Sequence, residues 1–173
     1  MIQAAAGPFD LSLAEMTEAH FREVLAAKID ISVNLARVFS AEPLDFMLYF
    51  SSVVALEKNG GLSGYAAGGA FEDALALHLA ARLPYAVKVI NWGHWAIGTG
   101  ARIAESAKAR LRYSGGAPIE PDDAMEALQQ LLGTPLRQAA LLKTSRPDLV
   151  ALIDAGQTLQ VLPEAIGPSL ISG

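Results

Sequence analysis

Two short apolar runs bracket an alanine- and leucine-rich stretch, and this arrangement restricts the possible folds more than any other feature of the chain. Asp45-Phe46-Met47-Leu48-Tyr49-Phe50 is a continuous aromatic and aliphatic run, bounded by Pro43 and by Ser51-Ser52. A run of this length without polar alternation suits a strand buried on both faces. Ala86-Val87-Lys88-Val89-Ile90 is a second β-branched run and ends abruptly at Asn91-Trp92-Gly93. From Ser63, a candidate cap, to about Arg82 the pattern is helical, although Gly68-Gly69 weakens its first turns by roughly 1 kcal/mol per glycine relative to alanine. Two glycines there point to close packing or a nearby ligand. Strand, helix and strand in alternation predict an α/β fold with a parallel sheet and right-handed crossovers.

The flanking segments extend this pattern. Thr17 can cap a helix running to about Phe39, because Phe21, Val24, Leu25, Lys28, Leu35 and Val38 recur at helical spacings, which places Lys28 on the apolar face. After Gly98-Thr99-Gly100 comes a helix-prone stretch from Arg102 to Arg112, then the turn-rich Ser114-Gly115-Gly116-Ala117-Pro118, a candidate mobile lid. Pro121-Asp122-Asp123 begins another helix, with acidic residues in its first turn, that ends near Leu132-Gly133. Gln138 to Lys143 reads as a last strand. The expected division is a catalytic-domain portion over 1–143 and a tail or linker over 144–173, which carries three prolines and a weak helical segment from Asp148 to Asp154.

Composition removes several function classes. The 13 basic residues are scattered and the formal net charge is −5, so no nucleic-acid surface is indicated. No run reaches the roughly 18 apolar residues of a membrane span, and Met1-Ile2-Gln3 lacks the basic start of a secretory signal. The chain therefore reads as cytoplasmic. The absence of cysteine excludes disulfides, thiolate zinc sites and cysteine nucleophiles, and His20, His78 and His94 are too dispersed for a metal motif. Hydrophobic residues reach 52 % with a mean hydropathy of +0.32, which leaves apolar surface for a partner.

Ser52 follows one predicted strand and Asn91-Trp92-Gly93 follows the other, so both fall at strand carboxyl ends, where open α/β sheets bind ligands. Tyr65 lies thirteen residues after Ser52, beyond a loop, Glu57 to Leu62, that can fold it back. A phenol with a reference pKa near 10 must lose roughly three units, about 4 kcal/mol, to exchange protons near neutrality. A neighbouring ammonium is a direct means, and Lys28 could supply it. Ser52 would hydrogen-bond a substrate carbonyl, Tyr65 would donate the proton and a nicotinamide the hydride. Taken singly, Ser52 also reads as a strand-end cap, Tyr65 as a packed aromatic and Lys28 as a snorkelling side chain. Asn91-Trp92-Gly93-His94-Trp95 reads equally as a structural turn with two core tryptophans.

Together, Phe50-Ser51-Ser52, Gly64-Tyr65-Ala66-Ala67 and Val89-Ile90-Asn91-Trp92-Gly93-His94-Trp95 closely resemble the ketoreductase domain of modular polyketide synthases, within the short-chain dehydrogenase/reductase superfamily. The resemblance runs from Met1 to about Lys143, and the twenty-four residues from Lys28 to Ser52 fit the family's lysine-before-serine order. It implies a partial Rossmann-like parallel sheet with flanking helices, lacking the first three strands and the phosphate-binding glycine loop. It further implies Tyr65 as proton donor, Ser52 as carbonyl-orienting donor and Lys28 as the partner that tunes Tyr65. Asn91, Trp92 and Gly93 would line the nicotinamide side of an NADPH pocket, and Ala4 and Ala5, in the stretch Met1 to Ala6 that aligns with the family's fourth strand, would also contact the cofactor.

The fourth catalytic position of many members, an asparagine, is Gly69 here, and Tyr65-Ala66-Ala67-Gly68-Gly69 looks most like members from synthases with a free-standing acyltransferase. Asp10 matches the last position of the Leu-x-Asp signature that accompanies a D-configured hydroxyl, with Pro8 in place of the leucine; it also reads as the start of a segment capped by Ser12. Glu57 stands where the opposite class carries tryptophan. The implied substrate is a β-ketoacyl thioester on an acyl carrier protein, and the implied partners are an upstream nucleotide-binding half or neighbouring synthase domains. A non-catalytic remnant that packs between synthase domains is the alternative.

Overall fold

The computed structural model describes residues 1–7, 14–56, 62–98 and 116–145. The expected helix over Arg102 to Arg112, the segment from Asp148 to Asp154, Asp10 and Glu57 lie outside them. Four parallel strands form the sheet, in the order β1 (Ile2–Gln3), β2 (Phe46–Ser52), β3 (Ala86–Trp92) and β5 (Gln138–Leu141). Helix α1 (Glu18–Ala26) and α2 (Ile29–Phe39) connect β1 to β2, α3 (Ser63–Ala80) connects β2 to β3, and α4 (Pro121–Gly133) precedes β5.

The unbroken apolar runs have the expected reason, since the middle of the sheet is covered on both faces. Alternate residues of β2 and β3 feed two cores. Leu48, Ile90 and Trp92 pack with Ile119 and with Ala124, Ala127 and Leu131 of α4. Met47, Tyr49, Val87 and Val89 pack with Ala76 of α3. Lys88 interrupts the β3 run without loss, because its ammonium donates to the Thr134 and Leu136 carbonyls, between α4 and β5, at 2.6 and 2.7 Å. Burial pushes its pKa down.

Both central strands run two residues past the apolar segments, so Ser52 is the last residue of β2 and pairs with Trp92, while Ser51 pairs with Asn91. A 3₁₀ turn, Val53–Ala55, follows at once, with the Ser52 hydroxyl accepting from Val54 N at 3.2 Å. Ser63 is the first helical residue of α3, not its cap; Leu62 holds the cap position without a side-chain bond, and Ser63 Oγ is buried without a partner among the described residues. Lys143–Thr144 forms β6, antiparallel to β4 (Gly116–Ala117), so part of the expected lid and the first residue of the expected tail are strand-paired.

The single helix expected from Thr17 to Phe39 is broken. Thr17 does cap α1, accepting from His20 N, but α1 ends at Ala26 and α2 begins at Ile29. The break resets the helical phase. Ser32 and Ala36 face inward in α2, and Val38, expected on the buried face, is 64 % exposed. Lys28 stands at the junction with φ −98° and ψ −48°, its side chain fixed into the interior.

Candidate active site

Of the expected triad, Lys28 lies at the junction of α1 and α2, Ser52 ends β2 and Tyr65 lies in the first turn of α3. Lys28 is 4 % exposed. Its ammonium donates to the Phe50 carbonyl at 2.5 Å, two residues before Ser52, and to Glu72 Oε2 at 2.8 Å. Those bonds use two of its three donors.

The glycine pair shows how α3 approaches. A Cβ on Gly68 would come within 3.1 Å of Lys28 Cβ and 3.3 Å of its Cγ, whereas one on Gly69 would meet Ala55 Cβ at 3.0 Å and Ser51 Oγ at 3.4 Å. Helix α3 therefore lies against the lysine stem on one side and against the turn after Ser52 on the other. Tyr65 precedes these glycines by three and four residues and so shares their face of the helix, one turn nearer its start. Tyr65 and Ser52 are both half-buried.

Asn91 is held by partners within the sheet and α3. Its side chain is fully buried, and Nδ2 donates to Asp73 Oδ2 at 2.7 Å, to the Ser52 carbonyl at 3.1 Å and to Ser51 Oγ at 3.2 Å. Its Oδ1 accepts from Gln138 Nε2 at 2.8 Å. Asn91 thus ties β2, β3, β5 and α3 together behind the rim. Trp92 is buried, with edge-on contacts to Phe50 and Trp95, and its indole N–H has no partner among the described residues. Gly93 is required by packing, since a Cβ there would lie 2.7 Å from the Leu141 carbonyl oxygen. Ala4 is exposed and Ala5 half-buried, with the Ala5 N–H donating to Gln3 Oε1 at 2.5 Å.

Sequence reasoning did not single out Glu72, Asp73, Gln3 and Ser32, which carry the buried polar chemistry of this region. Glu72 Oε1 accepts from Gln3 Nε2 at 3.0 Å and from Ser32 Oγ at 3.1 Å. Burial drives the Glu72 carboxyl upward while Lys28 and Ser32 pull it back, and burial likewise raises Asp73 against the Ser51 and Asn91 hydrogen bonds. The available signal was Glu72-Asp73 itself, two adjacent acids inside an alanine-rich buried helix, where charge is tolerated only when paired. Among the described residues no cluster of histidine and acidic side chains could hold a metal ion, and no helix is long and apolar enough to cross a membrane.

Ala4 and Ala5 follow β1 and Gly93 follows β3, so small residues stand beyond the carboxyl ends of two parallel strands, where open α/β sheets bind ligands. No glycine-rich phosphate cradle occurs among the described residues.

Comparison with known proteins bears on the family and the fold. Residues 1–97 match the family described as the KR domain. The chain is 46 % identical over 169 residues to polyketide synthase ThaG of Burkholderia thailandensis and 42 % identical over 161 residues to polyketide synthase PksN of Bacillus subtilis. These matches cover 97 % and 93 % of the chain but 3 % of each relative, so the chain spans a small fraction of the curated relatives it matches. Among solved structures, A-type ketoreductases from a modular polyketide synthase superpose with a TM-score of 0.75 at 28 % identity, covering 95 % of this chain and 35 % of that one. A ketoreductase domain from the bacillaene assembly line gives 0.69 at 28 % identity, covering 78 % and 33 %. The parallel sheet, the sequence motifs and these matches agree: the chain belongs to the ketoreductase (KR) domain family of polyketide synthases, with the short-chain dehydrogenase/reductase fold.

Proposed function

We propose that this chain supplies the proton-donating and carbonyl-binding part of a ketoreductase that converts a β-ketoacyl thioester, tethered to an acyl carrier protein, into the β-hydroxyacyl thioester. NADPH, when bound, supplies the hydride to the carbonyl carbon. Tyr65 gives its phenolic proton to the carbonyl oxygen, Ser52 donates a hydrogen bond to that oxygen and orients it, and Lys28 provides the positive charge that favours the phenolate left behind. The solved ketoreductases are about three times longer than the matched stretch, and the nucleotide-binding part is proposed to come from the rest of the synthase or from a neighbouring polypeptide.

The observation that carries this reading is the placement of Lys28. A lysine ammonium is held in the interior beside the carbonyl of Phe50, at the strand end that presents Ser52, below the helical face that carries Tyr65. Asp10 and Glu57 extend the proposal to stereochemistry: the former's match to the signature and the absence of tryptophan at the latter favour a D-configured hydroxyl.

The test is to mix the chain with an upstream nucleotide-binding fragment and follow NADPH oxidation with a simple β-ketoacyl thioester, resolving the product on a chiral phase. Reduction that is abolished by Tyr65→Phe supports the assignment. Failure of every complemented mixture to bind NADPH sinks it and favours a non-catalytic remnant between synthase domains.

A further inference from the structure

Lysine is almost never fully buried without a partner, because an ammonium removed from water discharges or is expelled unless its charge is matched and its protons are accepted. Lys28 has both its stem and its head accounted for by residues four apart on α3. Positions 68 and 72 lie one turn apart on the same helical face. At the first, the absence of a side chain lets α3 lie on the lysine stem, since a Cβ would stand 3.1 Å from Lys28 Cβ. At the second, a fully buried carboxylate reaches the ammonium at 2.8 Å.

The carboxylate is itself braced. Gln3 Nε2 lies 3.4 Å from Ser32 Oγ as a donor, which leaves the Ser32 proton for Glu72 Oε1, and Gln3 Nε2 also donates to that oxygen. Every neighbour of Glu72 in this network donates to it, the pattern an ionised carboxylate requires. The other ionisable groups near it are Asp73, its neighbour on α3, and Tyr49 of β2. The Gln3 carbonyl oxygen holds the Ala5 N–H, so the network also reaches the rim at the end of β1.

We propose that Gly68 and Glu72 form a seat for Lys28, in which Gly68 admits the stem and the Glu72 carboxylate, braced by Gln3 and Ser32, fixes the charged ammonium below Tyr65. Glu72 is a positioning residue, acting on the reaction through Lys28 alone. Its catalytic consequence rests on the proposed ketoreductase function; the holding of Lys28 does not.

The test uses competitive acetylation of the full chain with acetic anhydride, read lysine by lysine by peptide mass mapping. In the wild type Lys28 is expected to be strongly protected relative to Lys143, which is partly exposed. Glu72→Gln should raise Lys28 labelling about tenfold while Lys88, held by two carbonyls of the connection between α4 and β5, stays protected and reports an intact fold. If Glu72→Gln exposes Lys88 as well, Gly68→Ala takes its place: the carboxylate remains and only the stem is displaced, and Lys28 labelling should again rise. Unchanged protection of Lys28 in a folded variant overturns the seat.

In the complemented reduction assay, Glu72→Gln should lower kcat about tenfold with KM for the thioester unchanged, and Glu72→Asp should recover part of the loss. Increased labelling with an unchanged kcat overturns the positioning role. A wild-type mixture that neither binds NADPH nor reduces the thioester refutes the ketoreductase reading instead, and the labelling pattern still decides whether the seat exists.

Discussion

Replacing Gly69 by alanine tests whether the close approach of α3 to the turn after Ser52 is a requirement or an accident. In an unconstrained helix this change gains about 1 kcal/mol, because glycine is that much poorer than alanine as a helix former. Here the added Cβ would sit 3.0 Å from Ala55 Cβ and 3.4 Å from Ser51 Oγ. Carbon atoms pack best at about 3.5–4.0 Å, so Ala55 must yield by roughly half an ångström. Overpacking of this kind costs about 1–3 kcal/mol, which gives a net destabilisation of about 1 kcal/mol where helix propensity alone gives the opposite sign. Ala55 ends the 3₁₀ turn that Ser52 caps, so the displacement is passed to the Ser52 hydroxyl relative to Tyr65 on α3. A 1 Å misplacement of reacting groups costs about a hundredfold in rate, and half that distance corresponds to about tenfold. The assay is urea denaturation of the variant beside wild type, with thioester reduction in the complemented mixture. A Gly69→Ala chain that is more stable than wild type by about 1 kcal/mol and reduces at the wild-type rate refutes the steric argument.

The remaining predictions concern two glycines and one buried acid. Gly93→Ala should cost about 2–3 kcal/mol by denaturant titration, because the obstacle at 2.7 Å is a backbone oxygen that cannot rotate away and the added methyl also meets Ile119, whereas Gly133→Ala, with open space around it, should be neutral or stabilising by up to about 1 kcal/mol. Equal effects of the two would show that crowding at Gly93 is relieved by small shifts. For Asp73, burial raises the carboxyl above its unfolded value, so between the two values the folded chain binds more protons than the unfolded one. The Asp73 contribution to stability is therefore fully present below the unfolded value, about pH 4, and declines as pH rises through the folded value. The stability difference between wild type and Asp73→Asn should fall from pH 4 to 7, and a difference that grows over that range contradicts the assignment.

Much of the architecture is legible in local patterns. The runs around Met47-Leu48-Tyr49 and Val87 to Ile90 announce central strands because continuous apolar character is tolerated only where both faces are covered, and the glycine pair announces a close contact on α3. The order of Lys28, Ser52 and Tyr65 carries the resemblance on which the proposed chemistry rests. What could not be read is long-range. The helix break at Lys28 has no proline or glycine to mark it; it accompanies the fixing of one side chain onto Glu72 and Phe50, residues 44 and 22 positions away. Asn91 reads as a strand-end residue open to ligand, yet four partners from β2, α3 and β5 enclose it, and only the packed sheet reveals that its donors are already used.

The sequence by itself therefore determined the class of fold and put forward the candidate reacting groups, because periodicity and residue type are local properties. Tertiary structure decided how those groups are held. Gly68 and Glu72 become the surroundings of Lys28 only when α3 is laid across the β2 end, since the partners that make a buried charge tolerable are brought together by packing and by nothing in the spacing of the chain.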